Sequence, residues 1–215
     1  MPVAATSGRT SFGRPKGPRR AIRSRSWREV EFASLDFETT GLDYGRDAIV
    51  SFGVVPVRGG RVVLAEAVRQ LVVPEVPSSP TSMKIHRILP QDLADAPPLA
   101  VARERLRASL EGRFVLAWYA DVEIAFLKRI FGGRASAWKR RTVDVRDLTI
   151  ELEGAHPDVR WSLTSVAQRY GVPVADPHEA LDDALVTAQL FLILASRLER
   201  VGRGTTRALL RVTRV

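Results

Sequence analysis

The stretch "LDFETTGL" (35–42) sets Asp36 and Glu38 two residues apart in a strand-like run. On a strand, side chains two apart leave the same face of the sheet. Two carboxylates held there repel each other unless a cation lies between them. Leu35 and Phe37 mark the strand as central and buried, and Thr39, Thr40 and Gly41 follow as a tight polar turn. The pair therefore reads as a metal site rather than as solvated strand-end acids. A second cluster is "PHEALDDALVTAQLF" (177–191), with His178 just ahead of a long helix and Asp183 five residues later. Glu179 and Asp182 are placed to complement the helix dipole. Asp183 shares a helical stripe with Ala180, Ala184 and Thr187, so it faces a neighbour and needs a partner. The third is "LAWYADVEIAFL" (116–127), where Asp121 and Glu123 open a helix. At about 100° per residue, positions two apart point roughly 200° from one another, so only one of them can face a common site.

The elements that must position these groups are read from apolar periodicity. "EVEFASLDFE" (29–38), "AIVSFGVVPV" (48–57) and "RVVLAEAVRQLVV" (61–73) predict three strands in a meander, with "RGGR" (58–61) as the turn between the last two. "PPLAVARERLRASLEG" predicts a helix with Leu99, Ala102, Leu106 and Leu110 on one face and Gly112 as its stop, followed by a strand over 114–118. A helix over 122–131 is expected to turn Val122, Ala125, Phe126 and Ile130 inward, and "TVDV" (142–145) is a short strand. Helices over 162–171 and 179–202 close the pattern, the second burying Leu181, Ala184, Leu185, Ala188, Leu192 and Ala195. Strands in a run, then strands alternating with helices, imply an α/β domain with a mixed sheet covered by helices.

With 215 residues and 45% apolar content, the chain suits one well-buried domain, placed at 29–202. No cysteine is present, which excludes disulfides, zinc–thiolate sites and thiol nucleophiles and leaves oxygen or imidazole as metal ligands. The apolar run "LFLILA" (190–195) is too short to span a bilayer, so a soluble, cytoplasmic protein with no membrane partner is expected. The net charge of +9 is concentrated at one end: residues 1–28 carry eight basic residues and no acid, which leaves +1 for the rest. Rich in Gly, Pro, Ser and Arg, this segment is expected to be a disordered basic tail, serving as a solubilising extension or as an electrostatic arm for phosphates. Its Arg- and Ser-rich, acid-poor composition is also that of an organellar transit peptide. Residues 203–215 are taken as a basic C-terminal extension.

Taken together, these motifs resemble the DEDDh exonucleases, the 3′-to-5′ nuclease family of polymerase proofreading subunits, RNase T and oligoribonuclease. "LDFETTGL" is similar to that family's first motif and "HEALDDA" to its third, with His five before Asp; "MKIHRILPQDLADAPP" (83–98) is similar to its connecting segment. A tyrosine-type relative would have Tyr at position 179, where this chain has Glu. The resemblance implies a ribonuclease-H-like fold and a single-stranded 3′ end of DNA or RNA as substrate. It also implies two divalent cations, Mg²⁺ or Mn²⁺, held by Asp36, Glu38, an acid of the middle motif and Asp183, with His178 as general base and association with a polymerase. Such cations prefer carboxylate oxygens, and a histidine of ordinary pKa can take a proton near neutrality. Thr39, Thr40, Leu42 and His86 are the implied substrate-binding residues, His86 being a packing or pocket residue and His156 a surface one. The middle motif departs from the family, which begins it with His-Asn and uses Asp as ligand. Here Trp118 and Tyr119 take the first pair, and Phe126 and Leu127 keep a register that puts Glu123 at the ligand position. Asp121 then falls at the strand–helix junction, where it is expected to accept first-turn amides. Arg87 stands where a Gly is usual. These departures keep open a catalytically weakened nucleic-acid-binding or polymerase-associated module, and, third, a scaffold whose acids are structural.

Overall fold

The computed structural model describes residues 14–18, 20–154 and 161–212. The strands are β1 (Phe32–Thr39), β2 (Ile49–Arg58), β3 (Arg61–Val62), β4 (Val68–Leu71), β5 (Phe114–Ala117) and β6 (Thr142–Asp144). The helices are α1 (Pro80–His86), α2 (Leu99–Leu110), α3 (Asp121–Phe131), α4 (Ala135–Lys139), α5 (Val145–Glu153), α6 (Leu163–Arg169), α7 (Ala180–Arg200) and α8 (Thr206–Val212). The sheet runs β3-β2-β1-β5-β6, with β4 also paired to β2. β1 pairs antiparallel with β2 and parallel with β5, and β5 pairs parallel with β6. This is the expected mixed sheet flanked by helices.

Alternation along β1 sorts its residues between two cores. Ala33, Leu35 and Phe37 join Phe52, Val54, Leu106, Ile124, Phe126 and Leu127 on the face covered by α2 and α3. Phe32 points the other way, among Val55, Val57, Phe114, Phe191 and Leu194. Asp36 and Glu38 are in register with Phe32, so they leave the sheet on the face that α7 crosses. The turn at 58–61 forms through Gly59 and Gly60, whose φ angles of 60° and 72° only glycine adopts without strain. The third expected strand is broken: a 3₁₀ turn at Leu64–Glu66 separates β3 from β4, with Leu64 exposed.

Two buried faces differ from the sequence reading. In α3 the fully buried positions are Glu123, Ile124, Phe126 and Leu127, whereas Val122, Ala125 and Ile130 are only partly covered. Glu123, in the first turn of α3, is a charged neighbour of Asp36 and Glu38 on β1. α7 buries Ala184, Ala188 and Ala195 as expected, yet Leu181, Leu185 and Leu192 are half-covered while Val186, Leu190, Phe191, Leu194 and Leu198 are fully buried. It packs between the sheet on one side and α5 and α6 on the other, so it has two apolar faces.

The ordered domain also extends past both expected boundaries. Residues 20–24 and 27–29 form 3₁₀ turns, Trp27 is 1% exposed, and its ring meets Phe191 edge-on at 5.6 Å. Ser26 bridges Thr205, the Trp27 amide donates to the Gly204 carbonyl at 3.1 Å, and α8 buries Leu209 and Val212. A tryptophan buries enough apolar surface to order a polar segment, which the composition of 1–28 obscures. Residues 1–13, 19 and 213–215 of the expected tail and extension lie outside the described residues, as does His156. Among the described residues, no helix is long and apolar enough to cross a membrane.

Candidate metal centre and active site

The site forms where the C-terminal end of β1 meets the first turns of α7. Gly53 on β2 pairs directly with Asp36. A Cβ there would lie 2.1 Å from the Ala180 carbonyl oxygen, so the missing side chain is what lets α7 start against the sheet. Glu179 caps that helix, accepting the amides of Leu181 and Asp182 at 3.1 and 3.0 Å, while its other oxygen pairs with Arg69 at 2.6 Å. This is the helix-end role expected of Glu179. Seated so, α7 delivers Asp183 to the β1 acids: one carboxylate oxygen each from Asp36, Glu38 and Asp183 lies within 4.8 Å of the other two.

The electrostatics follow from crowding acids out of water. Burial, reinforced by the Asp183 and Glu179 charges and opposed by Arg87, pushes Glu38 up to about 8. Burial raises Asp183 to about 6, against the stabilising amide of His178, which donates to its Oδ2 at 3.1 Å. Asp36 keeps some accessible surface, yet burial and then Glu123, Glu38 and Asp183 lift it well above the ordinary carboxylate range. Three acids that resist ionising side by side match the donor set a hard divalent cation needs, because the cation supplies the missing positive charge.

The opening helix of the middle motif separates its two acids. Asp121 is exposed; Glu123 is 3% exposed, its Oε2 is buried without a hydrogen-bond partner, and burial raises its carboxyl well above the usual range. Asp36 and Glu38 are among its charged neighbours. Glu123 is not one of the three acids that converge within 4.8 Å. The capping role expected of Asp121 is absent: α3 has Ala120 at its N-cap and no side-chain cap bond. Asp144 instead accepts the Ala120 amide at 2.7 Å, and its other oxygen caps α5 through the amides of Arg146 and Asp147. The sequence reading missed this tether, although an Asp between a strand and a helical run is an N-cap signal. Tyr119, at the family's Asn position, has φ 64° and stands beside the Arg146 guanidinium, 4.8 Å from its ring centroid.

His178 is exposed on the loop ahead of α7, in a left-handed conformation with φ 65°. Arg87, also left-handed at φ 58°, occupies a backbone position suited to glycine, and its guanidinium bonds Asp176 and the Pro177 carbonyl. Of the residues expected to touch substrate, Thr39 and Thr40 turn their hydroxyls to Gly41 and Asp47 at 2.7 and 2.8 Å, where they fix the turn after β1. Leu42 is 80% exposed. His86 is buried: its Nδ1 accepts the Ile88 amide at 3.0 Å and its Nε2 has no partner.

Residues 34–191 match the sequence model of RNase_T, described as Exonuclease. A DNA polymerase III PolC-type from Thermotoga maritima is 31% identical over 178 residues, covering 81% of this chain and 12% of that protein. A DNA polymerase III subunit epsilon-like protein from Rhodobacter capsulatus is 31% identical over 185 residues, covering 85% of this chain and 26% of that protein. The chain thus spans a small part of these relatives. Among solved structures, Exonuclease X in complex with 5′ overhanging duplex DNA is similar with a TM-score of 0.63 at 24% identity, over 84% of this chain and 98% of that one. E. coli Exonuclease I in complex with a dT13 oligonucleotide has a TM-score of 0.69 at 17% identity, over 80% and 42%. The fold is the ribonuclease-H-like one of these exonucleases.

Proposed function

The chain belongs to the RNase_T exonuclease family, and from that premise we propose that it is a 3′-to-5′ exonuclease that removes nucleotides from a single-stranded 3′ end of DNA or RNA using two divalent cations, Mg²⁺ or Mn²⁺. The observation that carries this reading is the convergence of Asp36, Glu38 and Asp183 at the end of β1. Those three and Glu123, a charged neighbour of Asp36 and Glu38 whose Oε2 is buried without a hydrogen-bond partner, are the residues that would hold the cations. Bound there, such ions lower the pKa of a water and offset charge on the scissile phosphate and the departing 3′ oxygen. His178 takes the proton of the attacking water; its place on an exposed loop gives it access, and its own amide holds Asp183 in position. Leu42 offers an apolar surface to the terminal base, on a turn that Thr39 and Thr40 hold rigid. Association with a polymerase in the cytoplasm belongs to the same reading, since two of the relatives are polymerase III proteins.

The altered middle motif, with Trp118, Tyr119 and Glu123, favours as a second reading a weakened module that binds nucleic acid on the same fold. One assay separates the two: degradation of matched DNA and RNA strands labelled at either end, with Mg²⁺, Mn²⁺ or chelator. Stepwise, metal-dependent loss from the 3′ end, abolished in Asp36→Ala, Glu38→Ala and Asp183→Ala, is the expected result. Binding without cleavage under every condition would replace it with the second reading. His178→Ala should slow cleavage by about 10²–10⁴ while retaining cation binding; an unaltered acidic limb in its pH–rate profile would remove His178 from the role.

A further inference from the structure

A second charged constellation lies away from the acids. Arg14, Arg23, Arg140 and Arg141, with Phe114 and Trp138, line a cavity of about 190 Å³. Among the described residues, no Asp or Glu lines it. Arg141 is 6% exposed, and its guanidinium donates to the carbonyls of Pro15, Leu110 and Arg113 at 3.0, 2.7 and 2.6 Å, whereas its Nε is buried without a partner. Among the described residues, its charge is thus met by carbonyl dipoles and by no carboxylate hydrogen bond. Burial and the nearby Arg14 push Arg141 down to about 10, with Glu111 opposing. Arg14 and Arg141 both approach the Trp138 ring, at 6.0 and 5.2 Å from its centroid. The N-terminal segment that contributes Arg14, Gly17, Pro18 and Arg23 to the cavity has no Asp or Glu among its described residues 14–18 and 20–28.

A buried cation is costly unless an opposite charge accompanies it, and neighbouring arginines increase that cost. We propose that this cavity binds a phosphate group. Guanidinium forks suit phosphate oxygens, which accept two parallel hydrogen bonds from each, and the volume exceeds what one phosphate needs. The cavity is separate from the carboxylate centre. Phe114 opens β5 and Arg141 immediately precedes β6, both parallel to the β1 side of the sheet, whereas Asp36 and Glu38 lie at the other end of β1. From Phe32, the partner of Phe114, to Glu38 the strand advances about 20 Å at about 3.3 Å per residue. A phosphate here is therefore not the one being cleaved. It is either free phosphate or a backbone phosphate several nucleotides from the strand end.

The test uses the full chain in chelator, so that it reads binding and is independent of whether the protein cleaves nucleic acid. Arg14 and Arg140 are exposed, and Arg14→Ala/Arg140→Ala, with Arg140→Gln as a milder second variant, should keep the fold by circular dichroism. Titration with inorganic phosphate should show binding to the parent protein that weakens by about tenfold or more in the double variant, the cost of a lost charge-assisted hydrogen bond. In parallel, single strands of about 4 and about 12 nucleotides are bound across a salt series, where each lost phosphate contact lowers the log–log slope by about 0.7. Loss in both the phosphate arm and the longer strand alone assigns the cavity to backbone phosphate. Loss in the phosphate arm only assigns it to free phosphate. Equal binding by parent and variants in both arms overturns the proposal.

Discussion

In the two-cation reading proposed above, Glu123 is the side chain that would fill a fourth ligand position. A buried carboxylate with an orphaned oxygen is tolerated when something outside the protein neutralises it. Glu123→Gln should therefore eliminate cleavage and weaken cation binding, and Glu123→Asp should keep part of both. Asp121→Asn should stay active and lose at most about 1 kcal/mol, the worth of a charge at a helix N-terminus. Calorimetric Mn²⁺ titration alongside the cleavage assay checks all three; an inactive, folded Asp121→Asn with normal Glu123→Gln would move the ligand by two residues. The same crowding predicts a pH signature. Glu38 and Asp183 have native pKa values raised to about 8 and about 6, above ordinary unfolded values near 4. The native state therefore binds more protons than the unfolded one in that window, and stability present below the unfolded pKa is lost as pH rises through the native values. In chelator, the Tm should fall between about pH 5 and pH 8, and Mg²⁺ should remove most of that fall because it favours the ionised acids. A chelated Tm that rises across this interval would contradict the assigned crowding. Asp36, Glu38 and Asp183 could be read from the sequence because strand and helix periods fix which way they point. Burial of Glu123 could not, because a helix's inward face is inferred from its apolar residues, and those placed Val122 and Ala125 inside instead.

At the level of elements, the site depends on contacts that no local pattern reports. β1, β2, α2 and β5 were readable from uninterrupted apolar runs or a clean helical stripe, and the seven-residue α6 was read over 162–171; α1, α4, α5 and α8, of five to nine residues, carry few turns of periodicity and were missed. Gly53 is the clearest case of a nonlocal requirement. Within β2 it reads as a weak strand residue, yet it sits opposite Asp36 and under the start of α7. Gly53→Ala should displace the first turn of α7, costing about 1–3 kcal/mol as an overpacked contact. It should also lower cation affinity and cleavage in molecules that remain folded, since Asp183 moves with that turn. Comparing cleavage per folded molecule, with the folded fraction taken from urea unfolding, is the check. Loss of stability with full specific activity would mean that the helix end and the acids are not mechanically linked.

Across the whole molecule, residues 20–29 and 203–212 are packed parts of the domain rather than appendages to it. Composition assigned residues 1–28 to a tail, and the lone Trp27 within it was the signal to the contrary. Seven of the eight basic residues of 1–28 lie at 14–28, and only Arg9 lies in 1–13. Most of the charge that looked like a free arm therefore belongs to a segment that includes Trp27, and Arg28 already pairs with Glu199 at 3.1 Å. Removing residues 1–28 confounds two effects, whereas two smaller changes separate them. Deleting 1–13 should leave stability unchanged and reduce the salt slope of single-strand binding by no more than about 0.7, the share of one phosphate contact. Trp27→Ala should cost about 3–5 kcal/mol, the range for emptying a large aromatic site, because its ring packs against Phe191 on α7 and its segment is bridged to Thr205. That loss should loosen the contact of residues 20–24 with α8 as well, read as faster amide exchange at both ends together. If deletion of 1–13 destabilises the protein as much as Trp27→Ala does, or if Trp27→Ala changes salt dependence without changing Tm, then the ends are held by something other than the tryptophan and the division between packed segment and arm is drawn in the wrong place.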